Sequence, residues 1–530
     1  MGDVPQGVRS VFLAWAGEFA ETVWGRFQVM VFAAILCVGR HTVCRVLRYA
    51  GALAEGHWSS YHRVLSKRRW SIWRLGRILA RHILERLVPK GTVSISGDDT
   101  VTEHRGKKVY GKGRHRDAVR STHSFTTWRW GHKWVVLAIH VWLPGMNRPW
   151  ALPVLCALYR TPEENKRLGR RHKTPGDLMR QLSCVLLRWF PDRKFQFAGD
   201  GGYGSHKLAR FAARRPRLTL VSKFYSDANL YDPPPKRKAG TNGRPPKKGK
   251  KRPTPEEVVA NTRRRTRLEV SWYGGGRRQV AVVTGTGHWY KAGEGLVEVR
   301  WVFVEDRTGT HRDEYFFTTD VGLTSREIIE AYTGRWSIEV MFEEVREHLG
   351  LETTRGWCEK TILRAEPCLF GLYSLVVLWF AELPEKDRRD PKVPWFGTEK
   401  TTLTFSDAIT LARRQIWRSW VFESPRHNAA FRKLTPREKQ TLIDTVTQDS
   451  LLHAGFSEGS DRATALVQSF EQFITQHKDE ITALQILYSR PTRAPSRTIT
   501  GSALSASQSG ASIPPAQRLA AEGRSAPSRS

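Results

Sequence analysis

Apolar residues near the start of the chain recur at helical spacing. Val11, Phe12, Ala14, Trp15, Phe19 and Val23 lead into the run at 27–36, which predicts a packed helical module up to about residue 88. From residue 91 the period shortens to two. Val93 and Ile95 alternate with small polar residues and the stretch ends on Asp98 and Asp99, the signature of a strand. Residues 107–110 and 134–143 read as two further strands, and 175–189 as a helix with Leu178, Leu182, Val185 and Leu186 facing inward. A strand at 194–199 then runs into Asp200-Gly201-Gly202-Tyr203, followed by a helix at 206–213 and a strand at 218–224. The resulting β-β-β-α-β-α-β order places acids at the ends of the first and fourth strands, where open α/β sheets bind ligands.

The second half continues the pattern. Residues 232–265 are rich in Pro, Gly and Lys and read as a mobile basic loop suited to a phosphate backbone. Residues 266–320 alternate strongly and predict a small antiparallel β unit. Its aromatics Trp272, His288, Trp289, Tyr290 and Trp301 are either sheet core or a surface for stacking on an unpaired base. Around 331–346 a helical reading puts Tyr332, Arg335, Glu339, Glu343 and Arg346 on one polar face, beside the apolar stripe Ile338, Phe342, Val345 and Leu349. One carboxylate then stands between two guanidinium groups and a phenol. Such a face is either a set of ordinary i,i+4 pairs or a metal ligand beside phosphate-gripping groups. An apolar helix follows at 361–383, and further helices are expected at 404–420, 436–449 (capped by Thr435, Pro436 and Glu438) and 463–487.

Composition narrows the function. With 86 Lys+Arg against 51 Asp+Glu the formal charge is +35 and the pI about 10.4, which implies a polyanionic partner, nucleic acid foremost. The charge is spread along the chain, and 20 Trp with 23 Phe indicate a folded protein rather than a basic tail. The segment 57–87 combines Trp58, Tyr61, Arg63, Lys67, Arg68, Arg69 and Trp70, which suits either DNA binding or a solvated basic face. The apolar runs at 27–38 and 367–381 are short for membrane spans and read as buried helices, so no membrane partner is expected. No secretory signal is visible. Six cysteines without metal-type spacing read as mostly buried free thiols of a reducing cytoplasm. His115 and His123 read as ordinary loop residues ahead of nucleic-acid contacts, and Lys223 as a solvated lysine ahead of a phosphate contact.

Three carboxylates drawn from two strand ends and a helix would form an oxygen-rich site for two divalent cations, with Mg²⁺ the natural occupant and Mn²⁺ an alternative. Their order also carries a resemblance. Asp98-Asp99-Thr100 resembles a D-x-T motif, Asp200-Gly201-Gly202-Tyr203 a D-x-G-Y motif, and Tyr332, Arg335, Glu339 and Arg346 a Y-x2-R-x3-E-x6-K motif with Arg in the last place. Over residues 91–357 the chain resembles DDE transposases of bacterial insertion sequences, in the group related to insertion-sequence family four. The resemblance implies an α/β fold with a ribonuclease H-like mixed-sheet core, a β-rich insertion and flanking helical regions. It further implies Asp98, Asp200 and Glu339 as catalytic metal ligands, and Tyr332, Arg335 and Arg346 as contacts to phosphate. DNA (terminal inverted repeats and target), a homodimer and a cytoplasmic, nucleoid-associated location follow from it too. Asp99 competes with Asp98, because alternation from Val93 and Ile95 puts Asp99 in phase and Gly97 is able to host a bulge. Glu343 competes with Glu339 by helical position but lacks the motif spacing. A nuclease that cuts without transposing, and a non-catalytic DNA-binding protein, are the rival readings.

The expected division is a helical module (1–88), the first part of the core (89–225), a basic loop (226–265) and a β-rich insertion (266–320). Core completion (321–385), a C-terminal helical region (386–489) and a disordered tail (490–530) follow.

Overall fold

The computed structural model describes residues 4–117, 121, 124–235, 246–388, 402–418, 435, 436 and 443. The helices expected at 436–449 and 463–487, the tail and His123 lie essentially or wholly outside those residues.

Helices α1 (Gln6–Ala16), α2 (Glu21–Leu36), α3 (Val43–Ala50), α4 (Trp58–Ser66) and α5 (Ile72–Leu87) open the chain. Strands β1 (Val93–Glu103), β2 (Gly113–Arg116), β3 (Trp128–Val141) and β4 (Trp150–Tyr159) follow. Next come α6 (Pro162–Arg167), α7 (Pro175–Trp189), β5 (Phe195–Gly199), α8 (His206–Ala213), β6 (Leu218–Lys223) and β7 (Leu230–Tyr231). After α9 (Pro255–Asn261), the strands β8 (Thr266–Ser271), β9 (Arg277–Lys291), β10 (Gly295–Asp306) and β11 (Glu314–Thr318) form a meander. The described chain closes with α10 (Ser325–Gly334), α11 (Ser337–Leu349), α12 (Glu359–Ala381), α13 (Glu385–Arg388) and α14 (Phe405–Ile416).

At the heart of the sheet the order is β4-β3-β1-β5-β6. β3 runs antiparallel to both its neighbours β1 and β4, while β5 and β6 run parallel to β1. That strand order and direction is the ribonuclease H-like arrangement, a mixed α/β fold. β11 then pairs with β6, so the 266–320 meander extends the same sheet to eleven strands instead of closing on itself.

Both faces of the central strands are covered. Met179 of α7 lies against Gly97 on one side, and α11 and α12 pack on the other. The helices begin where the sequence supplies caps: Thr174, Thr254 and Thr324 each accept from the third residue on, whose acidic side chain returns the bond. α12 runs 23 residues through Pro367, longer than the apolar core seen in the sequence. It is long and apolar enough to cross a membrane by composition, but 72% of its most apolar window is buried inside the protein.

Several expectations are corrected. Residues 107–110 form a turn, and the short strand lies instead at β2. β4 has no counterpart in the expected order: its apolar run is interrupted by Pro153, which lies at a register shift against Leu137 and Ala138 of β3. Asp98 stands in the middle of β1 rather than at its end, because β1 continues to Glu103 along β3. Part of the basic loop is ordered too: Lys248 lies over the rings of Tyr231 and Tyr290, and Arg252 pairs with Asp232 at 2.6 Å. All six thiols are free, with Cys44 and Cys184 exposed. Lys223 is not a solvated lysine but pairs with Glu314 at 2.5 Å, and His115 is buried on β2.

Candidate active site

The parallel pairing of β1 and β5 brings Gly97 beside Gly199, so the next residues are Asp98 within β1 and Asp200 just past the end of β5. Ser222 of β6 donates to the carbonyls of Gly199 (2.9 Å) and Asp200 (2.7 Å) and fixes the backbone where β5 ends. The Tyr203 amide donates to Asp200 Oδ1 at 3.2 Å, closing the Gly-Gly turn over that carboxylate.

Glu339 comes from the first turn of α11. The single helix expected over this stretch is two, α10 and α11. Arg335 and Trp336 keep helical dihedrals between them, and the bonds tighten to i→i+3 from Ile338 to Arg335 and from Glu339 to Trp336. Arg335 Nη1 lies 3.1 Å from Asp98 Oδ2 and 2.7 Å from Glu339 Oε1, so one guanidinium nitrogen bridges acids 241 residues apart in sequence. Burial drives the Asp98 carboxyl up to about 8. Arg335 opposes that rise, and Asp200, Glu339 and Asp99 add to it. Burial also weakens the Arg335 charge, yet Glu339 and Asp98 hold its pKa above the usual value.

Asp99 faces the other way. Lys133 of β3 pairs with its Oδ1 at 2.7 Å, and the Tyr203 hydroxyl donates to its Oδ2 at 3.3 Å. Asp98 shares its face with Thr100, which the Arg346 guanidinium touches, while Arg346 Nε holds Glu352 at 3.0 Å. Glu352 adopts φ +77°, alone among the described non-glycine residues, and this left-handed turn presents its carboxylate to Arg346. Neither Glu352 nor Lys133 is flagged by any motif. Tyr332 is buried, its ring stacked on Phe316 at 4.3 Å and 5.4 Å from the Arg335 guanidinium carbon. Glu343 is exposed and apart from the acids.

The aromatics singled out in 266–320 are mostly core: Trp272, Trp289 and Trp301 are buried, because the meander packs both its faces. Exposed aromatics lie elsewhere. Trp128 and Trp130 project from the far end of β3 at 48% and 56% exposure. Arg114 lies 4.9 Å over the first ring and Lys112 5.5 Å over the second. Arg105, Lys107, Lys108 and Trp357 line the same groove.

The donor set Asp98, Asp200 and Glu339 is all oxygen and partly open to solvent, and two of its members, Asp98 and Glu339, already meet on one cationic nitrogen. A hard divalent cation such as Mg²⁺ fits such a set.

A ribonuclease H-like sheet with this acidic cluster defines the class, and the family comparisons narrow it. Residues 19–279, which contain Asp98 and Asp200, match the model described as "DDE superfamily endonuclease". Residues 286–379, which contain Glu339, match the one described as "Archaeal putative transposase ISC1217". Together these matches support a DDE transposase. No curated protein matches the chain. Among solved structures, a piggyBac transposase synaptic complex with hairpin DNA is similar at 10% identity over 87% of this chain and 84% of that one, with a TM-score of 0.37.

Proposed function

We propose that this protein is a divalent-metal-dependent DNA transposase that binds the ends of its element, cleaves them and joins the freed 3′-hydroxyls to target DNA. The observation that carries the reading is the meeting of Asp98 and Glu339 on the Arg335 guanidinium, with Asp200 one strand away. Asp98, Asp200 and Glu339 hold the metal, with Mg²⁺ as the physiological ion. When bound, two such ions activate the attacking oxygen and stabilise the leaving one. Arg335, between Asp98 and Glu339, and Arg346, beside Thr100, would grip the phosphates that flank the scissile bond. Tyr332 backs the Arg335 guanidinium with its ring. The subgroup reading, with Arg346 in the final place of the Y-R-E-K pattern, rests on the same residues.

DNA as partner is supported by the +35 charge and by the Trp128/Trp130 groove with its stacked cations. Pairing of two element ends calls for a homodimer.

The test is incubation of a labelled DNA carrying the element's end, plus a target plasmid, with Mg²⁺. Wild type is expected to cut and join. Asp98→Ala, Asp200→Ala and Glu339→Ala are expected to bind the end and do neither. Cutting without joined product would leave a nuclease; binding without cutting would leave a DNA-binding protein.

A further inference from the structure

Four residues beyond Asp98, on the same face of β1, Thr102 leads into a second polar cluster, this one dry. Glu366 of α12 and His132 of β3 are fully buried, and His104 nearly so. Glu366 Oε2 accepts from Thr102 Oγ1 at 2.9 Å and from the Trp134 indole. Its other oxygen, Oε1, faces His104 Nε2 at 2.5 Å and His132 Nδ1 at 3.8 Å.

The His132 ring is oriented by its far nitrogen: Nε2 lies 2.9 Å from the Tyr110 carbonyl, which only accepts, so Nε2 carries a proton. Nδ1 makes no hydrogen bond. In the neutral ring it presents a lone pair to a carboxylate oxygen. A lone pair held at 3.8 Å from a carboxylate oxygen by a backbone carbonyl behind it is the orientation of a metal-binding imidazole.

We propose that His104, His132 and Glu366 bind a structural divalent transition-metal ion, Zn²⁺ foremost, which fastens β1 and β3 to α12. Two imidazoles and one carboxylate suit Zn²⁺ rather than the Mg²⁺ of an all-oxygen site. The three donor atoms lie within 4.8 Å of one another. Tetrahedral bonds of about 2.0–2.2 Å space donors ~3.4 Å apart, so the His132 pair is near its place and the His104 pair opens on binding. The Tyr110 carbonyl, Thr102 hydroxyl and Trp134 indole orient the ligands from behind. Thr354 Oγ1, 3.4 Å from Oε1, borders the remaining side.

The experiment takes the full-length protein, loads it with Zn²⁺, dialyses it against excess Mg²⁺ and measures bound metal. About one Zn²⁺ per chain is expected for wild type and for Asp200→Asn, and none for His132→Asn. Co²⁺ substitution in wild type is expected to give the visible absorption of a tetrahedral ion, a readout independent of whether His132→Asn folds. Absence of retained Zn²⁺, retention by a folded His132→Asn, or an octahedral Co²⁺ spectrum alone would overturn the proposal. The cluster would then be a closed hydrogen-bond network.

Discussion

Two acid clusters share one face of β1 and differ in what answers their charge. Around Asp98 the counter-charge is a guanidinium on a flexible stem, with Glu339 about one-third exposed. Around Glu366, itself fully buried, the Trp134 indole and the Thr102 hydroxyl hold one oxygen, and the other is left to two imidazoles. A charge met by a single guanidinium can be handed to exchangeable cations. One framed by donors on its other oxygen suits a permanent, structural ion. The same residue type thus serves exchange in one place and architecture in the other.

The largest expected effect breaks the comparison on the framework side. Glu366→Gln strips the buried charge from its donors and is expected to cost about 3–5 kcal/mol in chemical unfolding. Asp98→Asn, which removes a strained buried carboxylate, is expected to leave the melting temperature unchanged or raised by ~2 °C while abolishing cleavage. Comparable losses of stability in both variants would erase the distinction.

Next in size is the groove at the end of β3. Trp128→Ala and Trp130→Ala are each expected to weaken single-stranded DNA binding about tenfold, in line with ~1–3 kcal/mol per stacked base. Fluorescence anisotropy checks this, and Trp301→Ala serves as a control that destabilises the sheet without exposing or removing a stacking surface.

The smallest effect concerns Glu344, a largely enclosed carboxylate on α11. Burial raises it to about 7, while the Tyr373 hydroxyl (2.9 Å) and Arg148 (3.8 Å) oppose the rise. A carboxyl raised above its unfolded value binds more protons folded than unfolded. Stability is therefore highest below the unfolded value of 4.5 and falls as pH climbs through about 7. Glu344→Gln is expected to flatten that slope, shifting the melting temperature relative to wild type by ~2 °C between pH 5 and 7.5. Parallel profiles for the two proteins would contradict it.

Much of this was legible in the chain. The period change at residue 91, the Gly-Gly turn after Asp200 and the spacing of Arg335 and Glu339 mark the three acids. The choice between Asp98 and Asp99 was not legible, because β1 is a central strand with both faces covered, and alternation from Val93 and Ile95 reports only the α7 face. β4 was hidden by Pro153, and the break between α10 and α11 by two residues that keep helical dihedrals. Core and stacking surface stayed open for the aromatics of the meander because alternation marks one face, while the fold covers both. The Glu366 cluster had no sequence signal at all: His104 and Glu366 stand 262 residues apart and meet only when α12 crosses β1 and β3.

The central claim is that Asp98, Asp200 and Glu339 hold divalent metal on the α11 face of β1, and Mn²⁺ binding followed by electron paramagnetic resonance tests it most directly. Binding is expected to be lost in Asp98→Asn, Asp200→Asn and Glu339→Gln and kept in Asp99→Asn and Glu343→Gln. Loss in Asp99→Asn with retention in Asp98→Asn would place the metal on the wrong face of β1 and contradict the account.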